Sequence, residues 1–317
     1  MTIDILKAPA LQLGDQLGLF APASPVRLEY VRKGQEYLAL SGFQSREGSS
    51  LLSRSYHVAG DPRTRIADFE ELLLDPGVKG LVAARGGYGT LPFLPLLDFA
   101  LIAQHPKIIL GFSDLTALQL GLWQRLKLVT FSGPMLAVEM ARPGMVNSAL
   151  LWALLTGAKE AEIKPLLSAY LASEKLECLR TQIFSGRLLG GTLTLLASLA
   201  GTSYLPDFAG KIIIIEDRGE PLYRIDRALT QLRLAGVFES PAAVVCGDFS
   251  LPNKVEEPLL PVLLKEFFAA DEFPVLINFP YGHCPQSFIF PQGVLMEFNC
   301  RAKTIALLES AVIKNGG

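Results

Sequence analysis

KIILGFSDLTALQL, residues 107–120, decides the fold class of this chain. Ile108, Ile109 and Leu110 form the unbroken apolar run expected of a strand buried on both faces of a parallel sheet. The run stops at Gly111, and Asp114 opens a stretch with apolar residues at helical spacing. A strand that turns into a helix within three residues lifts the serine between them, Ser113, clear of the sheet edge. The unpaired N–H groups of the helix start then point at whatever that serine approaches. This is half of the Gly-x-Ser-x-Gly turn that presents a serine nucleophile: Gly111 and Ser113 match, and Leu115 replaces the second glycine. The same pattern also closes a strand with a serine helix cap, so the segment alone leaves both readings open.

Strand and helix alternate on the N-terminal side as well. QLGLFA (16–21) is a short apolar run closed by PASP, and VRLEYVRKGQEYLALSGF (26–43) has helical periodicity ending at Gly42. TRIADFEELLLD (64–75) reads as a helix stopped by Pro76-Gly77, and VKGLVAAR (78–85) as a strand opening into GGYG. The expectation is an α/β fold with an N-terminal parallel-sheet domain over residues 1–150. ALLWALLTG (149–157) looks helical, and residues 151–177 are expected to form a linker. Residues 178–317 predict a smaller mixed α/β domain. KIIIIED, AAVVCGDF and PVLINFPY are its strands, RIDRALTQLRLAGVF is an amphipathic helix stopped near Gly236, and a terminal hairpin turns around Arg301-Ala302-Lys303.

Composition excludes several classes. Charged residues make up 19% of 317 residues and the net charge is −2, and nothing in this suggests the clustered Lys/Arg that a nucleic-acid partner would need. Cys178, Cys246, Cys284 and Cys300 contain no Cys-x-x-Cys pair, so neither a metal site nor a disulfide framework is indicated. The most apolar internal run, LLGGTLTLLASLAG, is too short and glycine-broken to span a membrane. Ala21-Pro22-Ala23 imitates a signal-peptidase site, but Asp4 and Asp15 interrupt the stretch before it, so a cytoplasmic protein is expected.

A serine nucleophile needs a base, and the chain has three histidines, His57, His105 and His283. His283 follows the strand PVLINFP and Gly282, at the kind of strand end where α/β proteins place catalytic groups. The strand KIIII ends in Glu216-Asp217, where a carboxylate is placed to orient an imidazole, although acidic residues also terminate strands without any such role. The glycines of Arg85-Gly86-Gly87-Tyr88-Gly89 permit close approach of backbone N–H groups to a ligand; the loop lacks nucleotide-binding spacing and equally reads as a tight turn. Cys246 is a second candidate nucleophile, though a cysteine in such a strand usually serves as a small core residue. Trp123 and Trp152 sit among leucines at core spacing.

Taken in order, LGDQLGLFAPASP, AGDPRTRIADFEELLLDPGVKGLVAARGGYGT, GFSDLTAL, GRLLGGTLTLLASLAGT, IIIIEDRGEPLYRIDRALTQL and GHCPQSFIFPQG resemble the LD-carboxypeptidase family of serine peptidases. That family contains murein tetrapeptide carboxypeptidases and the related microcin C immunity proteins. The resemblance implies a Ser113–His283–Glu216 triad in a cleft between the two domains, with Gly87 and Asp114 N–H groups as oxyanion hole. It implies a small muropeptide substrate bearing a terminal D-alanine after L-Lys or meso-diaminopimelate, with no metal or organic cofactor and a homodimeric state. Arg85, Gly86 and Tyr88 are the substrate-binding candidates, Arg85 either binding the terminal carboxylate or bracing its loop. Three positions depart from the family pattern: Ser132-Gly133-Pro134 stands for His-Gly-Pro, Gly190-Gly191-Thr192 for Gly-Gly-Asn, and Pro285-Gln286-Ser287 lacks the customary asparagine. These departures are expected to line the cleft. Hydrolysis of an aminoacyl-nucleotide amide, a ligand-binding protein that keeps the fold, and a Cys246 thiol enzyme are the alternatives.

Overall fold

In the computed structural model, residues 4–180 and 183–314 are described. The first half is built from β1 (Gln16–Phe20), α1 (Leu28–Leu40), β2 (Gln44–Glu47), α2 (Pro62–Leu74), β3 (Val78–Ala83), α3 (Phe99–Gln104), β4 (Ile108–Gly111), α4 (Leu115–Leu126) and β5 (Phe131–Ser132). α2 starts where Pro62 follows Asp61, whose carboxylate accepts from Arg63 N–H at 3.0 Å and Thr64 N–H at 3.2 Å. β1 to β5 lie in the order β2-β1-β3-β4-β5, all parallel. The strand order reverses between β1 and β3, and loops that diverge from such a point leave a crevice at the carboxyl ends of the strands. The Gly-rich loop follows β3 and Ser113 follows β4, on the rim of that crevice.

The second half continues with α5 (Ser148–Leu155), α6 (Glu160–Ser168), β6 (Glu177–Leu179), β7 (Ile183–Thr192), α7 (Leu193–Leu199), β8 (Lys211–Arg218), α8 (Leu222–Leu234), β9 (Ala243–Ser250), α9 (Leu260–Phe267), β10 (Val275–Ile277), β11 (Phe290–Pro291), β12 (Leu295–Asn299) and β13 (Thr304–Leu307). Its sheet runs β13-β12-β7-β8-β9-β10-β6; the four central strands are parallel, and β12, β13 and β6 are antiparallel to their neighbours. The mixed α/β architecture expected from the sequence is therefore present, with a mostly parallel N-terminal sheet. The stretch 151–177 is ordered into most of α5 and all of α6, and α6 packs on β13.

Two features join the sheets. α4 packs against α7 and β7, and nine consecutive residues from Leu115 to Trp123 are buried, so this helix is covered on all sides. The amide NH₂ of its buried Gln119 donates to the carbonyls of Gly111 (2.9 Å) and Phe131 (2.7 Å), at the ends of β4 and β5, tying the helix to both strands. The chain after β10 then crosses over, and β11 adds antiparallel to β5 at the edge of the N-terminal sheet. The loop carrying His283 is thus strung from one sheet to the other. Among the described residues, no helix is long and apolar enough to cross a membrane.

Candidate active site

Ser113 has φ +63°, a left-handed conformation that non-glycine residues rarely adopt, and Asp114 rather than Ser113 occupies the cap position of α4. The plain helix-cap reading of Ser113 is thereby set aside. Gly111 is required by space: a Cβ there would lie 2.5 Å from Leu115 Cδ2 and 2.9 Å from Ala83 Cβ. Leu115, in the place of the second elbow glycine, fills the gap that Gly111 leaves.

The Ser113 hydroxyl stands 3.2 Å from His283 Nε2, and His283 Nδ1 lies 2.7 Å from Glu216 Oε2. Glu216 emerges fully buried near the end of β8, and its other oxygen accepts the Thr192 hydroxyl proton at 2.5 Å. Gly282 permits the approach, because a Cβ at that position would sit 2.8 Å from Glu216 Oε2. Burial pulls the His283 pKa down, but the hydrogen bond and charge of Glu216 outweigh it and leave the imidazole above its ordinary value. Arg218 opposes that rise and Glu139 reinforces it.

The Gly-rich loop is held from two sides. Ser24 N–H donates to Gly86 O (3.3 Å) and Ser24 Oγ accepts from Tyr88 N–H (3.3 Å), while Asp114 Oδ2 accepts from Thr90 N–H at 2.9 Å. The buried Asp114 carboxyl therefore braces this loop instead of capping α4, and burial raises its pKa. Gly86 faces the serine so closely that a Cβ would meet Ser113 Cβ at 2.9 Å and Asp114 N at 3.3 Å. Among the described residues, the Gly87 and Asp114 N–H groups donate to no protein acceptor.

Ser113 and His283 open into a cleft of about 610 Å³. Arg27, Arg85, Arg142 and Arg218 lie on its wall; all four are exposed, and none forms an ion pair among the described residues. Arg85 reaches the Pro25 carbonyl only at 3.5 Å, so bracing its loop engages little of the guanidinium. The sequence reading missed Arg27, Arg142 and Arg218, which share no motif and converge only in space. Asp217, named from the sequence with Glu216 as the acidic end of its strand, is a cleft carboxyl that does not bond His283; burial pushes it up to about 6 despite two hydrogen bonds from Thr194.

Not every expected residue reaches the cleft. Tyr88 is absent from its wall and instead packs on His57, ring centroids 5.2 Å apart. His105 ends α3. Cys246 is fully buried in β9 and burial pushes its thiol well up, which removes it as a nucleophile. Of the departures from the family pattern, Thr192 lines the cleft, whereas Ser132 and Ser287 line a separate small cavity. There the Ser132 hydroxyl lies 3.0 Å from Tyr281 Oη, and Ser287 Oγ accepts from Gly282 N–H at 2.8 Å.

The model of the LD-carboxypeptidase N-terminal domain matches residues 17–133, and that of the C-terminal domain matches residues 185–298. A probable murein peptide carboxypeptidase of Bacillus subtilis is 34% identical over 314 residues, covering 96% of this chain and 95% of the relative. The chain belongs to the LD-carboxypeptidase family. The microcin C7 self-immunity protein MccF of Escherichia coli is 27% identical, covering 96% of each chain. A solved structure of MccF in complex with glutamyl sulfamoyl guanosine superposes with a TM-score of 0.87 over 97% of this chain and all of the other, at 24% identity, a likeness of fold. The two LD-carboxypeptidase domain matches divide the site: Ser113 and the Gly-rich loop fall in the first, Thr192, Glu216 and His283 in the second.

Proposed function

We propose that this protein is a serine LD-carboxypeptidase that removes the terminal D-alanine from murein tetrapeptides in cell-wall recycling. The observation that carries the reading is the hydrogen-bonded line Glu216–His283–Ser113 opening on a cleft with four unpaired guanidinium groups. Glu216 holds the His283 proton on Nδ1, so that Nε2 is free to take the Ser113 proton as Oγ attacks the scissile carbonyl. The developing oxyanion accepts from the Gly87 and Asp114 N–H groups. Protonated His283 then gives its proton to the leaving amine, and D-alanine departs. Water, deprotonated by the same imidazole, cleaves the acyl-enzyme and restores Ser113. A substrate with several carboxylates suits the arginines, which supply charge-assisted hydrogen bonds. Tyr30 is the only phenyl or indole ring among the described wall residues, which gives a nucleobase little to stack on and favours the peptide over a nucleotide amide.

The test is release of free D-alanine from a purified tetrapeptide by wild type and by Ser113→Ala. Release by the wild type alone supports the reading, and equal release by both refutes the role of Ser113. Failure of the wild type on tetrapeptide, together with cleavage of an aminoacyl-sulfamoyl nucleotide, would move the protein to the immunity-type reaction.

A further inference from the structure

Ser113 belongs to one sheet and Glu216 to the other, yet the line between them tolerates little slack. β7, the neighbour of β8, ends at Thr192, directly beside Glu216 in register. The Thr192 hydroxyl donates to Glu216 Oε1 at 2.5 Å, and its N–H donates to Thr116 Oγ1 at 3.1 Å. Thr116 lies on α4, three residues after Ser113, and its N–H donates to Ser113 O at 2.9 Å. Both threonine side chains are buried. The approach depends on Gly191, where a Cβ would fall 2.2 Å from Thr116 Oγ1. A closed circuit results: Ser113, Thr116, Thr192, Glu216, His283 and back to Ser113.

We infer that Thr192 is a positioning residue, whose hydroxyl aims the Glu216 carboxylate at His283 and whose N–H registers the second sheet against the helix that carries Ser113. The inference rests on the catalytic reading of Ser113, His283 and Glu216 given above. A fully buried carboxylate needs donors on both oxygens; His283 serves one and Thr192 the other. With the hydroxyl removed, Oε1 loses its donor, the carboxylate is free to rotate, and the His283 N–H alone is left to stabilise its charge.

Thr192→Val keeps the branched shape and the N–H but deletes the hydroxyl. It is expected to lower kcat about 10- to 100-fold, the loss of one hydrogen bond to a charged group, with KM within about 2-fold on the same constant-charge cleft. The acid limb of kcat/KM should move to higher pH, because the imidazolium gains the charge that Thr192 shared. Thr192→Ser, which retains a hydroxyl able to donate to the same Glu216 oxygen, should recover activity to within about 3-fold of wild type. Wild-type kcat in Thr192→Val overturns the inference, as does a Thr192→Ser variant as slow as Thr192→Val, which would assign the effect to packing. Ser113→Ala measured alongside separates the two levels. If it is inactive while Thr192→Val is unimpaired, only the positioning role falls; if it is active, the catalytic reading itself falls.

Discussion

Replacing Glu216 by Gln probes the line of hydrogen bonds at its most buried point. The volume is unchanged, but one side-chain oxygen becomes an NH₂ group that only donates. Thr192 already donates to Oε1 and has no other acceptor among the described hydrogen bonds, so the amide oxygen stays on Thr192 and the NH₂ turns to His283. His283 Nδ1 must then accept, which moves the imidazole proton to Nε2, where it blocks transfer from Ser113. The reverse placement strands the buried Thr192 proton at a cost of about 1–3 kcal/mol, so the productive tautomer falls to roughly one part in 5 to 150. Loss of the carboxylate charge beside the imidazolium removes a further ~1–2 kcal/mol from the transition state. Together these predict a fall in kcat of about 30- to 5,000-fold. The pH profile adds a signed check. Burial alone lowers the His283 pKa, and Glu216 is what raises it. In Glu216→Gln the residual activity should therefore persist to lower pH than in wild type. The assay is D-alanine release across pH 4–9, with thermal melting to establish that the variant is folded. A folded variant within 3-fold of wild type, or one whose acid limb stays in place, would refute the reasoning.

Three further outcomes follow from the geometry. Ser113→Gly and Ser113→Ala both delete the hydroxyl, but only glycine relaxes the φ of +63°; Ser113→Gly should melt roughly 1–3 °C higher, for ~1 kcal/mol of relieved strain, and equal melting would show that the elbow stores none. Arg85→Ala and Arg142→Ala should each raise KM about 3- to 30-fold with kcat little changed, an effect that shrinks in 1 M salt; loss of kcat at constant KM would contradict a binding role. Asp217 has a folded pKa of about 6, above its unfolded value of 3.8, so the folded state binds the extra proton and stability declines as pH rises from about 4 to about 6. Asp217→Asn should flatten that part of the stability profile by up to ~3 kcal/mol, measured by denaturant titration at each pH; an unchanged slope would mean that Asp217 titrates normally.

The elements flanking the site were legible because each depends on a few neighbouring residues. The apolar run 108–110, the stop at Gly111 and the helical spacing after Asp114 foretell β4, the elbow and α4; Gly236 and the 301–303 turn likewise mark the end of α8 and the β12–β13 hairpin. The segment 151–177 was harder. α6 is stabilised by packing on β13, more than a hundred residues further along, and no local pattern records that partner. Tyr88 shows the opposite failure: its loop is at the site, but the side chain turns to His57, a direction set by the loop's fold and not by its composition.

Family resemblance named Ser113, Glu216 and His283 from their motifs, but nothing in the spacing of the residues brings them together. Ser113 and His283 are 170 positions apart, and Glu216 and His283 are 67 apart. Their meeting depends on α4 being buried between two sheets, on the crossover from β10 to β11, and on bare backbone at Gly191 and Gly282. The convergence of Arg27, Arg85, Arg142 and Arg218, and the bridge from Thr116 through Thr192 to Glu216, have the same origin. Hydrophobic periodicity and turn chemistry act over one element and can be read along the chain. Hydrogen bonds between side chains of different elements exist only after the cores have packed, and in this protein those bonds carry the site.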